Sequence, residues 1–402
     1  MAAHVLAHEV ADLCLGKPPL KSLSVSATIG EALASLKSCE ENCISVWDCD
    51  DDDDHFKNVD GNCVCVGKIC MVDIICFLCK KENVNSPSLA LKSPVTDLLP
   101  KDSLLVKHVQ PSTSLLEAID LILQGAQNLV VPIETRFSGS SRRKLLQKSA
   151  STKSCTIHNG REFCWLTQED VIRYFLSSIG FFSPLPTASI DALGIISKEF
   201  LSIGYHSSAS SATEAISRSL VDQTSVAIVD EDGVLIGEIS PFTLACCGET
   251  VAAAITTLTA GELLAYIDCG GPPDDIVRVV KERLKERNLE GMLEEFEIDP
   301  SDISSNSSLS DEEFPSPTSS RSSFGRYSKS SSYSARMVRR AEAIVCYPGS
   351  SLVAVMVQTI AHRVNYVWVI EEDCSVVGIV TFANMLEVFK DQLESMMLGH
   401  FD

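Results

Sequence analysis

The run FCWLTQEDVIRYFL, Phe163 to Leu176, sets Thr167 and Asp170 three residues apart, where a short apolar strand pattern gives way to a helical one. A helix start presents unpaired N–H groups and the positive end of the helix dipole, which together favour a phosphate. A hydroxyl and a carboxylate at that end are also the two halves of a capping box, in which each satisfies an orphan amide of the first turn. A cap alone contributes about 1 kcal/mol, reason enough for both residues without any ligand. At this level the stretch is a capped turn and a candidate phosphate and ribose site.

Other reactive residues form no comparable constellation. The eight histidines follow no metalloprotease spacing, and neither G-x-S-x-G nor G-x-x-x-x-G-K-[ST] occurs. The chain is therefore not expected to be an enzyme. Of its 16 cysteines, nine precede residue 80. Cys39/Cys43 and Cys76-x-x-Cys79 suggest zinc spacing, but Cys63 and Cys65 alternate on a strand pattern and Cys76 falls on an apolar helix side. Thiols in such places pack as small hydrophobes, so packed or redox-sensitive thiols are expected and metal is not. The acidic run Asp50 to Asp54 lacks the spaced oxygens and glycine of a calcium loop. Arg142, Arg143 and Lys144 read as a solvated basic loop.

The elements that must position Thr167 and Asp170 recur. Four stretches open a helix with a hydroxyl cap: TIGEALASL at Thr28, SLLEAIDLI at Ser114, SATEAISRSL at Ser211 and SLVAVMVQTI at Ser351. The first three carry Glu three residues later, a capping box. After each helix comes a β-rich run (CISVWD, NLVVPIE, SVAIVDED, YVWVIEED), then a short strand leading into a second helix (VGKICMVDII, CWLTQEDVI, IGEISPFTL, VGIVTFANML). The spacing predicts four copies of a β-α-β-β-α unit. From first cap to the glycine of the second strand, copies three and four take 26 and 27 residues, and copy one takes 39. Copy two takes 50, with Cys164 standing for the glycine. The surplus falls in hairpin turns, where insertions are tolerated.

These lengths give repeat one at 10–82 with an acidic hairpin insertion at 49–62, repeat two at 94–180 with an insertion at 136–160, repeat three at 190–268 and repeat four at 341–398. Residues 272–340 read as a charged, solvent-exposed helix followed by a Ser-rich, disordered linker that buries too little apolar area to fold. A net charge of −21 argues against nucleic acid and anionic membrane as partners. VAAAITTLTAGELLAYI is too broken by Thr, Gly261 and Glu262 to span a membrane. The opening residues carry no basic region before an apolar run. A cytoplasmic protein without structural disulfides is the expectation.

A unit of this order, with TIxEAL opening its first helix and VGxI(T/S)xxD its second, resembles the cystathionine-β-synthase (CBS) domain. Four such units resemble the plant CBS-domain-only proteins of the CBSX type, an α/β fold in which repeats one and two, and three and four, form tandem pairs (Bateman modules). The resemblance implies a clefted interface in each pair that can hold an adenosine-type ligand: AMP, ADP, ATP or S-adenosylmethionine. It also implies that the Thr or Ser at the second helix contacts phosphate and the Asp three residues on binds the ribose hydroxyls. Carried over, repeat two matches at Thr167 and Asp170. Repeat one keeps Asp73 but has Cys70 for the hydroxyl. Repeat three keeps Ser240 with Thr243 for Asp, and repeat four keeps Thr381 with Asn384 for Asp.

In function, the resemblance implies a non-catalytic regulator that senses an adenosine-type ligand and modulates a partner protein. Alternatives are a ligand-free interaction scaffold, a γ-like subunit of an SNF1/AMP-activated-type kinase complex, whose γ subunits share the four-repeat layout, and a thiol-based redox regulator. The implied partners are a kinase complex or a thioredoxin-type protein, and a homodimer is a further option.

Overall fold

The computed structural model describes residues 8–38, 42–49, 63–100, 105–133, 156–268, 272–297 and 342–398. The run Asp50 to Asp54, the basic loop at Arg142 to Lys144, Cys39 and the Ser-rich stretch lie outside these residues.

A short helix α1 (Val10–Leu13) precedes repeat one, which comprises β1 (Ser22–Ser24), α2 (Ile29–Ser38), β2 (Cys43–Asp48), β3 (Val64–Cys70) and α3 (Met71–Leu78). After α4 (Pro87–Ala90), repeat two holds β4 (Val106–His108), α5 (Leu115–Leu123), β5 (Asn128–Ile133), β6 (Ile157–His158), β7 (Arg161–Thr167) and α6 (Gln168–Ser177). Repeat three runs through β8 (Leu201–Gly204), α7 (Thr213–Asp222), β9 (Val226–Val229), β10 (Leu235–Ile239) and α8 (Pro241–Cys247). Four helices come next: α9 (Val251–Thr257), α10 (Ala260–Ile267), α11 (Asp274–Glu286) and α12 (Glu290–Glu297). Repeat four closes with β11 (Val345–Cys346), α13 (Leu352–His362), β12 (Tyr366–Ile370), β13 (Val376–Thr381) and α14 (Phe382–Leu398).

In every repeat the first strand pairs parallel to the second, because a helix supplies the crossover that parallel strands need. The second then pairs antiparallel to the third or, in repeat two, to β7. The ladder slips at Gly67, Gly237 and Gly378 but runs without a break past Cys164 of repeat two. The last residues of the insertion expected at 136–160 are not part of a simple turn. Asn159 and Gly160, both at positive φ, form a two-residue hairpin that adds β6 to the sheet.

The repeats meet in two ways. Sheets of repeats one and two pack through Leu20, Trp47, Cys65, Val130 and Phe163, and those of three and four through Ala227, Tyr366, Trp368 and Ile379. Helices join the two pairs: repeats one and three share one apolar core, repeats two and four another. Four α/β repeats in two tandem pairs are thus closed into a ring.

Within each pair, the segment leading into one repeat docks on the other. Single antiparallel bridges link Glu9 to Ser114, Pro94 to Thr28, Ser189 to Ser351 and Thr259 to Ser208. The helix cap of repeat three is consequently not at Ser211. Ser208 occupies the place of Thr28, Ser114 and Ser351, a 3-10 turn spans Ala209–Ala212, and Ser211 Oγ donates to the Ser208 carbonyl. The Thr28/Glu31 box and the Ser114 cap form as expected.

The charged helix also differs from expectation. Val280, Leu284, Leu289 and Met292 are buried, so α11 and α12 lie on the repeat-one and repeat-three core with only their charged faces in water. Arg283 holds α11 to the capping box of α10, donating to both carboxylate oxygens of Glu262 at 2.7 and 2.9 Å. These bonds, helped by the Thr259 amide, hold the Glu262 carboxyl at about 2, below its ordinary 4.5. A carboxyl depressed in the folded state stabilises it above the unfolded value, and the contribution fades as pH falls from about 4.5 toward 2. Because both side chains are about one-third exposed, it amounts to about 1 kcal/mol. Arg283→Gln should lose about that much at neutral pH and almost nothing at pH of about 2.5. Urea midpoints at the two pH values check this, and a pH-independent deficit would refute the assignment.

Candidate functional site

The second helices of repeats one, two and four begin with the same bond, from the cap amide to the side chain three residues on. Thr167 ends β7 and caps α6; its amide and hydroxyl donate to Asp170 Oδ2, both at 2.7 Å, and the Asp170 amide returns to Thr167 Oγ1. In repeat four, Thr381 makes the equivalent bonds to Asn384 Oδ1 at 3.0 and 2.8 Å. In repeat one, the Cys70 amide donates to Asp73 Oδ2 at 2.7 Å, and burial raises both the Asp73 carboxyl and the Cys70 thiol. Repeat three substitutes a buried hydroxyl pair: Ser240 Oγ accepts from the Thr243 amide and lies 3.0 Å from Thr243 Oγ1. Asn384 and Asp73 therefore reach back to the cap in the same manner as Asp170.

Among the described residues, the start of the second helix in repeat two alone carries a lysine on its capping carboxylate. Gly16, at φ 77°, turns the chain after α1, and the stretch Lys17-Pro18-Pro19-Leu20 crosses β7, fixed by the Leu20 amide donating to the Phe163 carbonyl at 2.8 Å. Lys17 Nζ thereby reaches the Asp170 carboxylate and the Trp165 carbonyl. Opposite Thr167 in the strand register, Asn128 is buried, and its side-chain oxygen has no hydrogen-bond partner among the described residues. A cation, a hydroxyl and a carboxylate thus meet at one helix N-terminus, with a buried, unpartnered amide oxygen on the neighbouring strand. The arrangement can bind a small anion or a polyhydroxyl group.

Thr167 and Asp170 are brought together; no hydrogen bond among the described residues links them to Asp73, Ser240 or Thr381. At repeat four the approach is narrow, since Ser197 pairs with Ile379 across β13 beside Gly378. A cavity of about 650 Å³ opens at the far end of the repeat-three sheet, lined by Gly204, Tyr205, His206, Ser207, Asp230 and Glu231, none of them an expected site residue. Lys17 was not foreseen. A lone lysine in a Pro-rich stretch carries no motif, and its partner lies 153 residues away.

In the sheet interface of repeats one and two, the His158 imidazole stacks on Trp47 with ring centroids 3.7 Å apart. Burial lowers its pKa to about 4, so the ring is neutral near neutral pH. No helix among the described residues is long and apolar enough to cross a membrane.

No family model matches the chain. It is 48% identical over 405 residues to CBS domain-containing protein CBSX5 of Arabidopsis thaliana, covering 99% of this chain and all of that one. With CBSX6 of the same plant it shares 29% over 433 residues, covering 98% and 95%. Among solved structures, a Methanocaldococcus jannaschii protein described as a proposed archaeal homolog of g-AMPK aligns over 95% of this chain and all of its own, with a TM-score of 0.53 and 15% identity. That similarity shows the fold. The full-length identity of 48% shows the family: the chain is a CBS domain-containing protein.

Proposed function

We propose that this protein is a non-catalytic, cytoplasmic regulator that senses an adenosine-type ligand at repeat two and passes its occupancy to a partner protein. The observation that carries the reading is the meeting of Lys17, Thr167, Asp170 and Asn128 at one helix N-terminus. Asp170 supplies the acceptor for ribose hydroxyls, and the α6 amides with the Lys17 ammonium supply the positive end for phosphate. Lys17 enters from the lead of repeat one while Asp170 belongs to repeat two. A ligand that takes Asp170 away from Lys17 therefore changes how the two repeats hold each other, which a partner can read as a difference in affinity. The fold shared with the protein described as a g-AMPK homolog favours a kinase complex as that partner over a thioredoxin-type protein.

A second reading rests on repeats three and four. The buried Ser240–Thr243 pair and the Ser197 backbone beside Gly378 leave those helix starts occupied by the protein itself, as in a scaffold that binds no ligand. Thermal-shift titration of the full chain with AMP, ADP, ATP and S-adenosylmethionine separates the two. The sensor predicts stabilisation by about 2.7 kcal/mol at a hundredfold excess over Kd for one of them, abolished by Asp170→Ala. Absence of any shift would leave the scaffold.

A further inference from the structure

The ends of β2 and β3 in repeat one and of β6 in repeat two bring two thiols and an imidazole together. Cys49 follows β2, Cys63 precedes β3, and His158 lies on β6, the strand created by the Asn159-Gly160 turn. Their donor atoms, Cys49 Sγ, Cys63 Sγ and a His158 ring nitrogen, all lie within 4.8 Å of one another. Cys49 Sγ is 3.4 Å from His158 Nδ1. A tetrahedral zinc with Zn–S of about 2.3 Å and Zn–N of about 2.0–2.1 Å spaces its sulfur and nitrogen about 3.5 Å apart. Cys49 and His158 stand at about that spacing already, with Cys63 within 4.8 Å of both.

The surroundings hold the donors in place. His158 Nε2 is 2.9 Å from Ser22 Oγ. A bond donated there keeps the proton on Nε2 and the Nδ1 lone pair on the side of the thiols, the outer-shell arrangement that metal-ligating histidines use. Stacking on Trp47 at an interplanar angle of 1° fixes the ring plane. The Asn159 side chain holds Cys63 on both sides, accepting from its amide at 3.0 Å and donating to its carbonyl at 3.1 Å. Neither cysteine is in a disulfide.

We propose that Cys49, Cys63 and His158 form a zinc site that joins the β2–β3 pair of repeat one to the β6–β7 hairpin of repeat two. Two thiolates and an imidazole suit zinc and reject magnesium and calcium, which require oxygen. Binding converts two thiols to thiolates, releases two protons to solvent and leaves the metal's oxidation state unchanged. Among the described residues these are the three clustered donors, which leaves a fourth tetrahedral position beyond them. Among the described residues, neither Cys43 nor the Cys76/Cys79 pair, which had zinc-like sequence spacing, takes part.

The test uses the full chain, reduced and freed of metal, titrated with cobalt(II) and then zinc. The expected result is a thiolate-to-cobalt charge-transfer band saturating at about one equivalent and removed by zinc. Cys49→Ser with Cys63→Ser should abolish the band, while Cys246→Ser with Cys374→Ser, at exposed positions, should leave it unchanged. Ser22→Ala should weaken binding about tenfold or more, the usual effect of losing an outer-shell partner. As a readout in the unaltered chain, zinc should slow alkylation of Cys49 and Cys63, mapped by peptide mass, and spare Cys246. No band in the parent protein, a band that survives in the double Cys49/Cys63 variant, or alkylation indifferent to zinc would overturn the site.

Discussion

Glu238→Ala should destabilise the pair formed by repeats three and four by about 4 kcal/mol. Glu238 is 1% exposed on β10 and accepts hydrogen bonds from Ser225 Oγ at 2.7 Å, Trp368 Nε1 at 2.8 Å and Tyr366 Oη at 3.0 Å. Two of those donors belong to repeat four, so one side chain ties both sheets of the pair. Its removal leaves three buried donors without an acceptor, each costing about 1–3 kcal/mol. Glu238→Gln keeps an acceptor oxygen and should cost roughly half as much. The measurement is the urea midpoint of the full chain, followed by tryptophan fluorescence. A loss below about 1 kcal/mol for Glu238→Ala would mean that the three donors find other partners and that the network does not hold the pair together.

Gly378→Ala should cost about 2–3 kcal/mol, and Gly67→Ala, the same change at the equivalent position of repeat one, less than about 1 kcal/mol. A methyl on Gly378 would lie 2.3 Å from the Ser197 carbonyl oxygen and 2.9 Å from Ile196 Cγ2. The Ser197 backbone cannot move aside without breaking the two bonds, each 2.9 Å, that it exchanges with Ile379. Each is worth about 1 kcal/mol before strain is counted. A methyl on Gly67 would meet only the end of Leu99, with Cδ2 at 2.7 Å, and a rotamer change clears it. Thermal unfolding of the two variants side by side decides the matter. Equal losses would show that the ladder slip itself, rather than the crossing segment, demands glycine. Cys164 of repeat two is consistent with the asymmetry: it carries a Cβ where the ladder runs without a slip.

The repeat architecture could be read from the chain because each repeat states it locally. A capped helix between two β-rich runs leaves few other arrangements, and the Thr28/Glu31 and Ser114/Glu117 caps form where their residue types place them. The cap of repeat three went astray because Ser207, Ser208, Ser210 and Ser211 all offer hydroxyls, and only the bridge to Thr259 selects Ser208. The β6 hairpin had a local signal, Asn159-Gly160, masked by its position at the end of a long polar insertion. The burial of α11 was legible in the four-residue spacing of Ile276, Val280 and Leu284, hidden by the surrounding charge. At the candidate site, Thr167 and Asp170 announce themselves as a capped turn. Lys17 and Asn128 do not, since contacts between distant segments leave no periodic trace. The same holds for Cys49, Cys63 and His158, which only the pairing of two sheets assembles.

The exchange of leading segments bears on where this chain can be cut. From the leading bridge residue to the cap of its own repeat, repeats one, two and three take 19, 20 and 19 positions (Glu9 to Thr28, Pro94 to Ser114, Ser189 to Ser208). Repeat four takes 92, from Thr259 to Ser351. The lead of repeat four, α10, is seated on repeat three and needs no short tether to the repeat it precedes, so lengthening that connection costs only the slow logarithm of loop closure. A nick between 298 and 341 should yield two polypeptides, one of about 300–340 residues and one of about 60–100, that remain associated through β12 and β13, with Trp368 still buried. Co-expressing the two as separate genes should reconstitute the four-repeat ring.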